Sequence, residues 1–137
     1  RAEHIARVIE PQLRDGNWVV CDRFTDSSFA YQGGGRGLNF SVIQSLEDLT
    51  LPKIRPNHTF ILDVPVAEGL RRASRRGESD RFEQEDIDFF ERARKVFLDR
   101  SRADKVYSVV DASNSEEQVQ TDIKKYLESF IKSFNWV

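Results

Sequence analysis

Two short stretches of this chain concentrate the residue types that handle phosphate. The first runs Cys21-Asp22-Arg23-Phe24-Thr25-Asp26-Ser27-Ser28-Phe29-Ala30-Tyr31-Gln32 and continues into Gly33-Gly34-Gly35-Arg36-Gly37. A carboxylate at the end of a strand can hold a hydrated Mg2+, because that ion takes few carboxylates and keeps several waters. A guanidinium beside it is repelled by a metal but grips a phosphate with two parallel N–H bonds. Asp22 and Arg23 side by side therefore suit a site that holds a metal and an anion together. The same dipeptide alone reads equally as a local ion pair. Ser27, Ser28, Tyr31 and Gln32 place hydroxyl, aromatic and amide groups on one short helix, a set that suits stacking and in-plane hydrogen bonding to a planar base. Tyr31 taken alone reads as a core residue.

The glycine run that follows looks like a phosphate cradle, but no Gly-Lys-Ser/Thr follows it, and it does not join a strand to a helix. It is expected to be a flexible loop beside the site, with Arg36 as a helper. The second stretch, from Arg71 to Glu83, puts five arginines (71, 72, 75, 76 and 81) in eleven positions. A run of charge is usually a solvated helix face. Here every cation is Arg, although Lys occurs elsewhere, and the run passes through Gly77 and so leaves a helix for a loop. It also breaks the otherwise balanced charge. A movable Arg-rich loop over about 71–84 is what phosphoryl transfer needs, since charge spreads over the oxygens of the moving group and donors must arrive after substrate binds.

These stretches need a frame. Trp18-Val19-Val20-Cys21, Thr59-Phe60-Ile61-Leu62 and Tyr107-Ser108-Val109-Val110 are short apolar runs of the kind buried on both faces of a parallel sheet, and each ends in Asp (22, 63, 111). Any one of these Asp residues is also a good turn-former. Helical spacing separates the runs: Ile5, Val8, Ile9 and Leu13; Val42, Ile43, Leu46 and Leu49; Ala67, Leu70 and Ala73; Phe90, Ala93 and Phe97. A last helix carries Val119, Ile123, Tyr126, Leu127, Phe130 and Phe134, opened by a capping box at Ser115 and Gln118. Gly16 stops the first helix. Alternating strands and helices predict an α/β fold, a parallel sheet flanked by helices, with ligands beyond the C-terminal strand ends.

The 137 residues suit a single domain, and 39% hydrophobic with 11% aromatic residues suffice for a core. With 21 basic and 23 acidic side chains the net charge is −2, which argues against a general nucleic-acid binder. No apolar stretch approaches the roughly 20 residues of a membrane helix, and no signal peptide is visible; a cytoplasmic location is expected. Lone Cys21 reads as a small core residue, and His4 and His58 as surface residues. The chain starts inside a helical pattern with no capping residue, as a piece of a longer protein would.

Asp22-Arg23-Phe24, Ser27-Ser28, Ala30-Tyr31-Gln32 and the glycine run, followed by Arg75-Arg76-Gly77-Glu78, Asp80-Arg81-Phe82-Glu83 and Asp88-Phe89-Phe90-Glu91-Arg92, resemble the signature of bacterial thymidylate kinases. The resemblance covers the whole chain. It implies a P-loop NTPase-type fold and transfer of the γ-phosphate of ATP to dTMP, with Mg2+. Asp22 would sit by the Mg2+, through water, and by the phosphates, and Arg23 would hold the dTMP phosphate. Arg1, Ser27, Ser28 and Gln32 would approach the base. Tyr31 would press on the deoxyribose and select deoxy substrates. Arg72, Arg75, Arg76 and Arg81 would form the lid over ATP, with catalytic arginines among them, and residues after Asp111 would border adenine. A homodimer is also implied, and the helices before and after Asp22-Arg23 offer apolar faces for it.

The family's first strand, Gly-x-x-Gly-x-Gly-Lys-Ser/Thr-type loop and following helix have no counterpart here. The isolated 137 residues are therefore expected to be inactive, and an intact enzyme carrying them active. Two alternatives share these features: a deoxynucleoside kinase, and a non-catalytic nucleotide-binding remnant.

Overall fold

The computed structural model describes residues 2–51, 54–75 and 85–133. Helix α1 runs through Ala2–His4, a π-helical segment Ile5–Ile9, and Glu10–Arg14. It buries Ile5 and Ile9, while Val8 and Leu13 stay largely exposed. It ends at Gly16, whose φ of +81° is the left-handed conformation that glycine adopts at least cost. Helix α2 comprises Thr25–Ser27 and a π-helical continuation Ser28–Gly35. Helix α3, Phe40–Thr50, is capped by Asn39, whose side chain accepts from the Ser41 N–H at 2.9 Å.

Strand β1 (Thr59–Asp63) and strand β2 (Tyr107–Asp111) pair in parallel, with Thr59 opposite Tyr107 and Asp63 opposite Asp111. Between them lie helix α4, Val66–Ser74, which starts after Pro65, and helix α5, Ile87–Ala103, capped by Asp86 on the Phe89 N–H at 2.6 Å. Helix α6, Glu116–Ser133, follows β2. Half of its expected capping box is made: the Gln118 N–H donates to Ser115 Oγ at 3.3 Å. Phe134 lies outside the described residues.

The run 18–21 is not a strand. Among the described residues the sheet has only β1 and β2. An apolar run becomes a strand only where a neighbour pairs its backbone N–H and C=O groups. Instead Val20 is 97% exposed and Cys21 is exposed rather than a core residue. Val19 and Phe24 pack on a small cluster of Ile5, Ile9 and Leu51, and Trp18 meets the edge of Phe130 on α6. For the same reason neither surviving strand is sealed: Val110 is buried, but Leu62 and Val109 remain exposed.

His58 is not a simple surface residue. It is half-buried, with its ring 4.9 Å from Phe60 and 5.0 Å from Phe130, and Nε2 lies 3.0 Å from Ser108 Oγ. Burial holds its pKa below the ordinary 6.5.

Candidate functional site

The first motif folds as one unit: an irregular Asp22-Arg23-Phe24 segment leading into α2. Asp22 and Arg23 are both exposed. Arg23 has φ +59°, the left-handed region that a residue with a Cβ enters only at a cost of about 1 kcal/mol or more. Its guanidinium lies over the Tyr31 ring, 5.6 Å from the centroid. Tyr31 is half-buried, stacked on Phe89 of α5 at 6.2 Å and 19°, with Phe97 edge-on at 5.8 Å. It is therefore both the packing residue and the neighbour of Arg23. Ser27 is buried, Ser28 half-buried and Gln32 exposed.

The glycine run is neither a flexible loop nor a cradle. Gly33–Gly35 form the last turn of α2, pressed against α3 and α5. A Cβ would fall 2.1 Å from Phe40 at Gly33, 2.6 Å from Val96 at Gly34 and 2.3 Å from Phe89 at Gly35. The glycines are there because two helices pass too close for any side chain. Arg92 of α5 donates to the Gly34 and Gly35 carbonyls at 3.2 and 2.9 Å, satisfying the end of the helix. Arg36 pairs with Glu85 at 3.0 Å.

Of the second motif, Arg76 and Arg81, like Arg1, lie outside the described residues. Arg72 is engaged: it donates to Glu68 at 2.6 Å and to the carbonyls of Ala112 and Ser113 at 2.7 and 3.0 Å. It thus ties the end of α4 to the loop after β2. Arg71 also chelates Glu68, and the two guanidiniums, Arg71 first, hold that carboxyl down at about 2. Arg75 is exposed at the end of α4.

The three aspartates differ. Asp63 receives a two-pronged pair from Arg94 at 2.7 and 2.8 Å, which raises the Arg94 pKa. Asp111 caps its own turn, accepting from Ser113 N and Oγ, which lowers its pKa. Asp22, exposed like Asp111, shows no such turn or clasp among the described residues. Among the described residues no cluster of three His, Cys, Asp or Glu could cage a metal. A single accessible carboxylate still fits Mg2+ shared with substrate phosphates.

Sequence reasoning missed Asp26. The residue is buried, 7% exposed, and its carboxylate accepts from Arg100 Nε at 2.6 Å and Tyr107 OH at 3.0 Å. Arg100 also lies 3.9 Å over the Phe29 ring. Burial, then Asp26, raises the Tyr107 pKa. A signal was available: Phe89, Arg92, Val96 and Arg100 share one face of α5, and cations on an apolar face call for buried partners. A cleft of about 470 Å3 between α3 and α5 is lined by Phe29, Phe40, Val96 and Arg100 and by none of the predicted site residues. The residue chemistry around Arg23, not concavity, marks the candidate site.

Parallel strands with helical connections and an exposed acid–arginine loop leading into an aromatic-backed helix define an α/β protein. The thymidylate kinase family profile matches residues 1–123, and the chain belongs to that family. It is 49% identical over 133 residues to the thymidylate kinase of Pseudomonas putida strain GB-1, covering 96% of this chain and 63% of that one. The Ectopseudomonas mendocina enzyme is 48% identical over 134 residues, covering 97% and 64%. A crystal structure of thymidylate kinase from Ehrlichia chaffeensis superposes with a TM-score of 0.70 at 31% identity, over 93% of this chain and 58% of that one. The chain thus spans somewhat under two thirds of the length of these relatives. No helix among the described residues is long and apolar enough to cross a membrane.

Proposed function

We propose that this chain is the acceptor-binding and lid part, a single domain over 1–137, of an enzyme that phosphorylates dTMP from ATP. The observation that carries the reading is Arg23, held in a strained backbone conformation over Tyr31, exposed beside Asp22 at the family's motif positions. Arg23 grips the dTMP phosphate, Ser27, Ser28, Gln32 and Arg1 approach the base, and Tyr31 bounds the deoxyribose. Arg75, Arg76 and Arg81 serve the ATP phosphates. Arg72 acts at one remove, fixing the 112–113 loop that borders adenine. Mg2+, held by Asp22 through water, neutralises phosphate charge when bound.

A dTMP phosphate oxygen attacks the γ-phosphorus in line; the bond to the β–γ bridging oxygen breaks, and dTDP and ADP leave. No covalent intermediate is needed, because the acceptor oxygen is already a nucleophile. Positioning and charge stabilisation do the catalysis. The exposed Val42, Leu46 and Leu49 of α3 are the face on which the intact enzyme dimerises; a monomeric mass by sedimentation would exclude this.

The test is ADP release with dTMP or thymidine as acceptor. An intact enzyme carrying this chain should use dTMP. Activity on thymidine alone would replace the reading by a deoxynucleoside kinase, and dTMP binding without turnover by a remnant. The 137 residues by themselves should not turn over at a kinase rate, since nothing in them replaces a P-loop and its Lys.

A further inference from the structure

We propose that Asp26 is a positioning residue for the acceptor site, acting through a buried clasp with Arg100 and Tyr107; this rests on the dTMP-kinase reading above. Asp26 is too enclosed to meet a ligand. It stands three residues after Arg23, one before Ser27 and five before Tyr31, within the first turn of α2. One of its oxygens takes both Arg100 Nε, at 2.6 Å, and Tyr107 OH, at 3.0 Å. The clasp therefore joins three separate elements: the start of α2, the last turns of α5 and the first residue of β2.

Two features tie the clasp to Arg23. A left-handed non-glycine persists only where its surroundings over-determine it, and the turn just after Arg23 is pinned at Asp26. The Arg100 guanidinium is itself fixed, because its plane covers Phe29 in the next turn of α2. At the other end of α2, Arg92 holds the Gly34 and Gly35 carbonyls. The helix bearing the acceptor groups is thus gripped by α5 at both ends. Loosening the Asp26 end frees Arg23 and leaves the Gly end, and everything beyond it, in place.

The experiment uses the full-length enzyme carrying this chain, with Asp26→Asn and Tyr107→Phe. The expected result is a KM for dTMP raised about tenfold by Asp26→Asn and about threefold by Tyr107→Phe, with the KM for ATP changed less than about twofold. A role confined to stability would lower Tm and the active fraction and leave both KM values alone. That outcome, or equal rises in both KM values, overturns the proposal. If Asp26→Asn does not fold, Tyr107→Phe, which deletes one hydroxyl, decides by the same criteria. A parent enzyme that fails to use dTMP would fell the underlying reading, and the inference with it.

Discussion

Gly35→Ala puts the packing account of the glycine run at risk. The new Cβ would lie 2.3, 2.7 and 2.9 Å from three Phe89 ring atoms. Carbon–carbon contact is comfortable at about 3.5–4.0 Å, so the ring must retreat by roughly 1 Å or more. It has nowhere easy to go: Phe89 is 2% exposed, stacked on Tyr31 and met edge-on by Phe90 at 5.2 Å. Overpacking of this kind costs about 3 kcal/mol, at the upper end of the usual range. The helix gains about 1 kcal/mol from replacing Gly by Ala. The net expectation is a loss of about 2 kcal/mol, or roughly 6–8 °C in Tm for a chain of this size. Urea unfolding followed by circular dichroism measures it. In a Phe89→Leu background the same substitution should cost little, giving a coupling of about 2 kcal/mol in the double-mutant cycle. A phosphate cradle or flexible loop predicts the opposite: Gly35→Ala neutral or stabilising, with no coupling to position 89. That result would refute the reasoning.

Arg23→Ala in the full-length enzyme removes a charged hydrogen-bonding group worth about 1.5–3 kcal/mol, so the KM for dTMP should rise roughly 10- to 150-fold with a smaller change in kcat; steady-state kinetics at saturating ATP decides it. His58 prefers its neutral form in the folded chain, since burial depresses its pKa. The unfolded chain then binds the extra proton first, so stability should fall as pH drops below about 6.5 and level off once the folded ring also protonates. His58→Gln should flatten that segment of a urea-midpoint-against-pH curve, and an unchanged slope would reject the assignment.

The sequence reported element types well and their surroundings unevenly. Runs 59–62 and 107–110 fold as the strands expected of them, and every helical spacing became a helix. Run 18–21 is just as short and apolar and did not, because a strand is a property of a pair and its composition cannot name its partner. The glycine run misled in a related way. Glycine permits unusual backbone angles and it permits close approach; spacing cannot separate the two, and only Phe40, Phe89 and Val96 seen in place do so. Asp22, Arg23 and Tyr31 stood out as candidates because their chemistry is uncommon in combination, and Arg23 does lie over Tyr31. Asp26 stood in the same motif and was passed over, because its partners lie 74 and 81 positions away.

That asymmetry bears on how the site keeps its shape. None of the exposed groups of the Asp22-Arg23 loop explains why Arg23 holds a left-handed backbone. The explanation lies on α5, whose arginines reach both ends of α2 from a face that also buries Phe89 and Ala93. Arginine suits this role because its planar fork stacks and donates at once, as Arg100 does on Phe29 and Asp26. A lysine there would keep the charge and lose the plane. Guanidiniums on α5 therefore act as rivets between helices. Arg72 of α4 does comparable work between a helix and a loop, through its bonds to Ala112 and Ser113.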